Sequence, residues 1–279
     1  MPTRFLPTNP AIAERVDRLN LPFSAHSIDP YSINKRELGR FFTWMGWFYR
    51  RYFRAEVYGI EHVPARGSAM LVSNHQGGIA LDAGMVLASV FFECEPPRLA
   101  QGMVEKFLAS LPGSSHFTAK VGQVTGLPQH AERLLQDGRL LMVFPEGARG
   151  TAKLHHQSDS LVRFGTGFMR LALQTGSPIV PLAVIGAGDA FPTVANLYKL
   201  GKLVGAPYIP IPRYLLPIPR PTTFQILYSA PMRFEGDGTE SDDLVVGYVE
   251  QVRLRIHWLI EQGRKLREGK LDPNDLEVT

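Results

Sequence analysis

Two short stretches of the chain carry residue types that can do chemistry. In the first, LVSNHQGGIALDAGMVL from Leu71 to Leu87, an apolar run ends on Asn74 and His75, two glycines follow, and Asp82 opens a helix-like run. A neutral histidine held in one tautomer by a carboxylate is a suitable general base for a hydroxyl, and the same contact stabilises the imidazolium that forms. On a continuous helix this separation is two turns, roughly 10.5 Å of rise, too far for a side-chain hydrogen bond. Gly77 and Gly78 remove that obstacle, because glycine adopts the left-handed conformations that let a backbone reverse. A second reading stays open on these residues alone: Asp82 caps its helix and His75 is a turn histidine bonded to backbone.

The second stretch is MVFPEGARGTAK, Met142 to Lys153. Proline and glycine force a sharp exit from the preceding apolar run, and Glu146 then stands beside the cations Arg149 and Lys153. Arginine grips phosphate oxygens with a bidentate fork, and lysine supplies a mobile charge behind it. The alternative is a surface ion pair between Glu146 and Arg149, which would contribute little.

Other sites are absent from the sequence. There is no G-x-S-x-G elbow and no G-x-x-x-x-G-K-[ST] loop. Gly186-Ala187-Gly188 lacks the third glycine of a dinucleotide fingerprint, with Phe191 in its place, and reads as a turn. His155 and His156 have no cysteine or spaced histidine nearby and read as an exposed pair, so no metal is expected. A zinc spacing, an RNA-binding aromatic motif and a lysine-rich tract are all missing, which argues against nucleic acid.

The elements that must position these residues follow from periodicity. AEVYGI, SAMLVSN, RLLMVFP, SPIVPLAVIG and TFQILYS are short β-rich runs; between them LDAGMVLASVFFE, LPQHAERLLQDG and SLVRFGTGFMRLALQTG have helical spacing. The alternation predicts an α/β fold, a largely parallel central sheet flanked by helices. Ligands on such sheets sit beyond the carboxyl ends of the strands, where His75 and the Pro145-Glu146-Gly147 turn fall. At 279 residues, 44% hydrophobic, the chain can bury a sizeable core. Its single cysteine, Cys94, fits a reducing cytoplasm and is read as a packing residue. The opening twenty residues lack the apolar core of a secretion signal and read as an exposed arm.

Lys35 to Arg54, KRELGRFFTWMGWFYRRYFR, brackets an aromatic block with cations. Leu38, Phe41, Phe42, Met45, Phe48, Tyr49 and Tyr52 form one stripe at helical spacing, widened by Trp44 and Trp47. The uncharged block is far shorter than the roughly 20 residues that span a bilayer. It is expected to be an amphipathic interfacial helix lying in an anionic phospholipid membrane, with Phe41, Trp44, Trp47, Phe48, Arg50 and Arg51 as contacts; a core helix with a basic end is the alternative. The net charge of +4 favours an anionic partner. Tyr198 to Pro221 is proline-stiffened, with four cations, and reads either as a second membrane-facing surface or as a connector. After Thr239 a helix carries Leu244, Tyr248, Val249, Val252, Ile256, Leu259 and Ile260 on one face, followed by a frayed tail. The organisation expected is an arm (1–34), the interfacial helix (35–58), the main domain (59–235) and a C-terminal helix with its tail (236–279).

NHQGGIALD together with FPEGARG, over roughly Gly59 to Pro231, resembles the glycerolipid acyltransferase superfamily, in a Gly-Gly subgroup near the mono- and diacylglycerol acyltransferase-like branch. Ile179-Val180-Pro181-Leu182 matches a later block of that family. The resemblance implies His75 as the base, Asp82 as its orienting partner, and Glu146, Gly147 and Arg149 as the acceptor-binding turn. Asn74, Gly77, Gly78 and Lys153 complete the substrate-binding set. It also implies direct transfer from an acyl thioester, acyl-CoA or acyl-ACP, to a glycerolipid hydroxyl, with no covalent intermediate and no cofactor. The work would be done peripherally at the cytoplasmic face of a membrane. Oxyanion donors are expected among the backbone amides near Gly77-Gly78. Two departures stand out. The family usually has four residues between His and Asp; here Gln76 to Leu81 make six. The arginine normally found after the glycine of the second block is missing after Gly122, the next being Arg133. A neutral glyceride acceptor therefore stays beside a lysophosphatidate-type one, and a catalytically silent lipid-recognition protein beside the enzyme.

Overall fold

A computed structural model describes residues 7–104, 114–125, 127–214, 216–276 and 278. Strands occur in chain order at β1 (Glu56–Tyr58), β2 (Ala69–Ser73), β3 (Ala100–Val104), β4 (Val124–Thr125), β5 (Leu140–Val143), β6 (Ile179–Ile185), β7 (Thr193–Leu197), β8 (Ile209–Pro212) and β9 (Gln225–Tyr228). All but β7 and β8 join one sheet in the order β1-β9-β6-β2-β5-β3-β4. Neighbours in it are parallel except β6 and β9, as the alternating pattern predicts.

Central strands are apolar throughout because both faces of a helix-covered parallel sheet are buried. Every residue of β2 and β6 is buried. In β2, Ala69 and Leu71 point into one core and Met70 and Val72 into the other, the alternation that the pleat imposes. Pro181 is tolerated inside β6: the ladder to β9 stops at Leu182 and resumes only at an isolated Ile179–Met232 bridge, so its missing N–H breaks no continuous run.

The first core is closed by α1 (Pro10–Asp17), α2 (Lys35–Trp47) and α3 (Leu81–Glu93). Along the chain come α4 (Ser114–Lys120), α5 (Pro128–Gln136), α6 (Ala148–Thr151), α7 (Gly167–Thr175), α8 (Ala187–Ala190), α9 (Tyr198–Leu203) and α10 (Asp242–Arg267). Of these α5, α7 and α10 close the second core.

Three elements differ from the sequence reading. The arm holds a helix: Asn9 caps it, Val16 and Leu19 are buried, and Arg15 donates to the Phe91 and Cys94 carbonyls, because Asn-Pro is an N-cap followed by an N1 proline. The 35–58 segment is helical to Trp47, continues as a π-helical turn at Phe48–Tyr52 and ends in β1 of the main sheet. The stripe on α10 begins at Val245; Leu244, in the turn capped by Ser241, faces outward, and Tyr248 is only partly buried. Tail residues Leu276 and Val278 pack on the second core.

α2 has two faces with different fates. Leu38 and Phe42 are fully buried, and Phe42 stacks on Phe91 of α3 at 3.7 Å between centroids. Trp44 and Trp47 are more than half exposed. Phe42→Ala should therefore cost about 3–5 kcal/mol and Trp44→Ala within about 0.5 kcal/mol of folding stability in urea titrations; equal losses would show that the two faces are not distinct.

Candidate active site

Because β2 pairs in parallel with both β5 and β6, the carboxyl ends of the three strands lie side by side. The loops leaving them carry His75, the Pro145–Gly147 turn and Gly186. Asn74 secures the first loop. Its side chain donates to Val184 O (2.9 Å) and accepts from Val184 N (2.8 Å), so a side chain extends the β2–β6 ladder beyond the last backbone pair. Asn74 is fully buried and its amide is occupied by this clamp.

The chain then reverses. Gly77 (φ 78°), Gly78 (φ 64°) and Ala80 (φ 53°) are all left-handed, and a Cβ on Gly77 would lie 2.6 Å from the Ala187 carbonyl oxygen. The reversal brings Asp82, in the first turn of α3, back to the histidine: Oδ2 lies 2.8 Å from His75 Nδ1 and accepts from Gln76 N at 2.7 Å. Oδ1 accepts from Ala83 N at 2.8 Å, so the carboxylate also serves its own helix start, where partial positive charge favours it. Asp82 is fully buried and the His75 side chain 13% exposed. With Nδ1 engaged, Nε2 is the nitrogen left to exchange a proton.

A second buried carboxylate holds the histidine's backbone. Glu146, 1% exposed, accepts from His75 N at 2.9 Å and from Val162 N at 3.0 Å, and pairs with Lys153 at 3.0 Å. Lys153 is 6% exposed and also donates to Ser160 O. The sequence brought Glu146 and Lys153 together with Arg149 as acceptor contacts. Here the glutamate and lysine face inward and bind each other, and Arg149 alone of the three is exposed, donating to Arg163 O at 3.2 Å. Gly147, at φ 59° and ψ −152°, takes a conformation essentially reserved for glycine. The turns touch: Gly78 N donates to Thr151 O, and a Cβ on Gly150 would lie 2.7 Å from His75 Cβ. Of the amides expected as oxyanion donors, that of Gly78 is thus committed to Thr151.

Sequence reasoning missed three contributors. Phe144 stacks on the His75 ring at 4.2 Å; it opens the FPEGARG stretch but was given no role there. Gln76 is fully buried and bridges Asp159 Oδ1 (3.2 Å) to Gly188 N (3.3 Å), which ties all three loops together and which no spacing announces. Gly150 closes the FPEGARG stretch and was likewise given no role.

The remaining candidates lie elsewhere. Phe41 and Phe48 are partly buried, and Trp44, Trp47, Arg50 and Arg51 are exposed on α2 and the turn after it, with the Arg50 guanidinium 4.7 Å from the Phe92 ring. α2 packs on α3, the helix that Asp82 opens. Arg133 sits in the last turn of α5, which leads into the start of β5, the sheet's opposite end from His75. His155 lies 3.1 Å from Gly188 O and is exposed. Burial pushes the Cys94 thiol up to about 11. Among the described residues no cluster of potential metal ligands occurs, and no helix is long and apolar enough to cross a membrane.

Comparison with known proteins gives consistent results. Residues 54–185 match the family described as Acyltransferase. Uncharacterized proteins of Mycobacterium bovis and Mycobacterium tuberculosis are 33% identical over 216 residues, 74% of this chain and 60% of theirs; the chain thus spans about three fifths of their length. A Bos taurus protein named as a DGAT1/2-independent enzyme synthesizing storage lipids is 26% identical over 49% of this chain and 40% of its own. The fold is similar to that of the 1-acyl-sn-glycerophosphate (LPA) acyltransferase PlsC from Thermotoga maritima, with a TM-score of 0.55, 19% identity and 82% of each chain covered.

The buried pair generates a stability prediction. Glu146→Ala leaves Lys153 as an uncompensated buried charge and should cost about 3–5 kcal/mol in chemical denaturation. Adding Lys153→Met should recover the part of that loss due to the charge, while the His75 and Val162 amides stay without their acceptor. A double variant as unstable as the single one would show that the charge is not what fails.

Proposed function

We propose that this chain, whose residues 54–185 match the Acyltransferase family, is a member of the glycerolipid acyltransferase superfamily and moves a fatty acyl group from an acyl thioester to a glycerolipid hydroxyl. The observation that carries the reading is the 2.8 Å contact between His75 Nδ1 and the buried Asp82 carboxylate, next to an exposed arginine turn. His75 Nε2 takes the hydroxyl proton as the oxygen attacks the thioester carbonyl carbon. The tetrahedral intermediate expels the thiolate by breaking the C–S bond, and the imidazolium returns the proton to sulfur. Asp82 keeps the ring in the required tautomer and orientation while the proton is transferred. Such base catalysis contributes about 10²–10⁴-fold, with the fixed orientation of the two substrates adding more.

Arg149 is the phosphate-binding candidate, while Glu146, Lys153 and Asn74 act through the backbone they hold. Gly77 and Gly78 shape the turn, and the Gly77 amide is the oxyanion donor left of that pair. The donor thioester is acyl-CoA or acyl-ACP, and no cofactor takes part. Work at the cytoplasmic face of an anionic membrane, with Trp44 and Trp47 in the headgroup layer, follows from the substrate class and from the exposed aromatic face of α2. Cys94, buried and with its thiol shifted up, is a poor nucleophile, in keeping with direct transfer. A neutral glyceride acceptor is the second reading, favoured by Arg133 lying at the far end of the sheet and by the name of the bovine relative.

Thiol release from acyl-CoA in the presence of lysophosphatidate or diacylglycerol tests this. Folded His75→Ala should lose about 10²–10⁴-fold in kcat, and Cys94→Ser should keep wild-type turnover; turnover retained by the histidine variant would remove the base assignment. Arg149→Ala should raise KM for a phosphorylated acceptor about ten-fold. If it leaves KM unchanged and the neutral acceptor reacts faster, the second reading holds. No release with any acceptor would leave a lipid-recognition protein.

A further inference from the structure

The excursion between Thr193 and Arg220 carries nothing that the proposed chemistry uses, yet its surface is unlike the rest of the molecule. Nine of the eighteen large apolar side chains exposed among the described residues fall within it. Leu203 is 81% exposed, Ile218 65%, Leu216 63% and Val204 58%. Its charged residues are Lys199, Lys202, Arg213 and Arg220, all exposed, with no carboxylate. Among the described residues β7 and β8 pair only with each other, forming a hairpin with α9 at its turn.

We infer that this hairpin is a membrane-seated rim of the active site, occupied by the surface of an anionic lipid bilayer. Apolar side chains interleaved with cations alone complement a layer of hydrocarbon beneath anionic headgroups. A second copy of the chain fits badly, because an isologous contact would set four cations against the same four with no acid between them. The hairpin is continuous with the aromatic segment that follows α2: Tyr52 Oη donates to Pro219 O at 2.7 Å, and the Tyr52 ring lies 5.6 Å from Trp47.

One side of it rests on the catalytic loops along its length, from Thr193 at the base to Asn196 and Tyr208 beside α9. Asn196 Nδ2 donates to Ala152 O at 2.6 Å, the Tyr208 hydroxyl bonds to Thr151 Oγ1, and a Cβ on Gly78 would lie 2.9 Å from Thr193 Oγ1. Seating the exposed apolar side chains of this hairpin in a bilayer therefore holds the His75 loop at the lipid boundary. The inference rests on the proposed function only in taking a lipid as the acceptor that arrives there.

The test uses the full chain and vesicles of phosphatidylcholine with or without phosphatidylglycerol. Leu203→Glu/Leu216→Glu/Ile218→Glu, at exposed positions, should reduce partitioning onto phosphatidylglycerol vesicles by at least about ten-fold, with thiol release toward a monodisperse short-chain acceptor unchanged. Lys199→Gln/Lys202→Gln/Arg213→Gln should abolish the preference for phosphatidylglycerol over phosphatidylcholine alone. Partitioning of the glutamate variant within two-fold of wild type would overturn the proposal, as would a wild-type dimer that this variant converts to monomer in sedimentation velocity. A wild type that binds vesicles through the hairpin but releases no thiol would refute the proposed activity and leave this assignment standing.

Discussion

The loops at the carboxyl ends of β2 and β5 are organised around the buried Glu146–Lys153 ion pair. Removing two charges from water is costly, and mutual attraction offsets the cost only when the other hydrogen-bonding positions are also filled. Here they are: the carboxylate also receives the amides of His75 and Val162, and the ammonium reaches the Ser160 carbonyl. Three chain segments, from residues 75, 146–153 and 160–162, are thereby fixed to one point. The histidine is held twice over, at its backbone by Glu146 and at its ring by Asp82. Fixing both leaves the ring little freedom, as the proposed role of a base that meets a hydroxyl in one geometry requires.

Much of this architecture could be read before any coordinates. Central strands such as AMLVS and IVPLAVI are legible because a covered parallel sheet demands apolar side chains on both faces. β3 is not, since AQGMV carries a glutamine and a glycine, and β4 is two residues long. β7 and β8 escaped because the prolines of IPIP argue against a strand, and this hairpin is an edge where proline is tolerated. α1 escaped although Asn9-Pro10 is a helix start, because so proline-rich an opening suggests an arm.

At the site, residue types were visible and residue orientation was not. His75, Asp82 and the glycines announce themselves by chemistry and by the need for left-handed backbone. That Glu146 and Lys153 face inward while Arg149 faces out depends on how the turn after β5 folds over the sheet, and no local pattern encodes it. The same holds for α2: its aromatic wealth reads as a single stripe, while the fold assigns Phe42 to the core and leaves Trp44 and Trp47 outside.

The Asn74 clamp has a consequence for how this loop can vary in length. Because a side chain continues the ladder past Ser73, strand register and histidine position become one quantity: a residue gained or lost before Gln76 would unseat the base. Downstream, only the distance back to the α3 start must be met. The two residues that this chain has beyond the His-to-Asp spacing of the family it resembles fall in that downstream segment, where the left-handed residues Gly77, Gly78 and Ala80 absorb them as a wider loop. Length drift in this part of the molecule is thus channelled to the far side of the His75 imidazole.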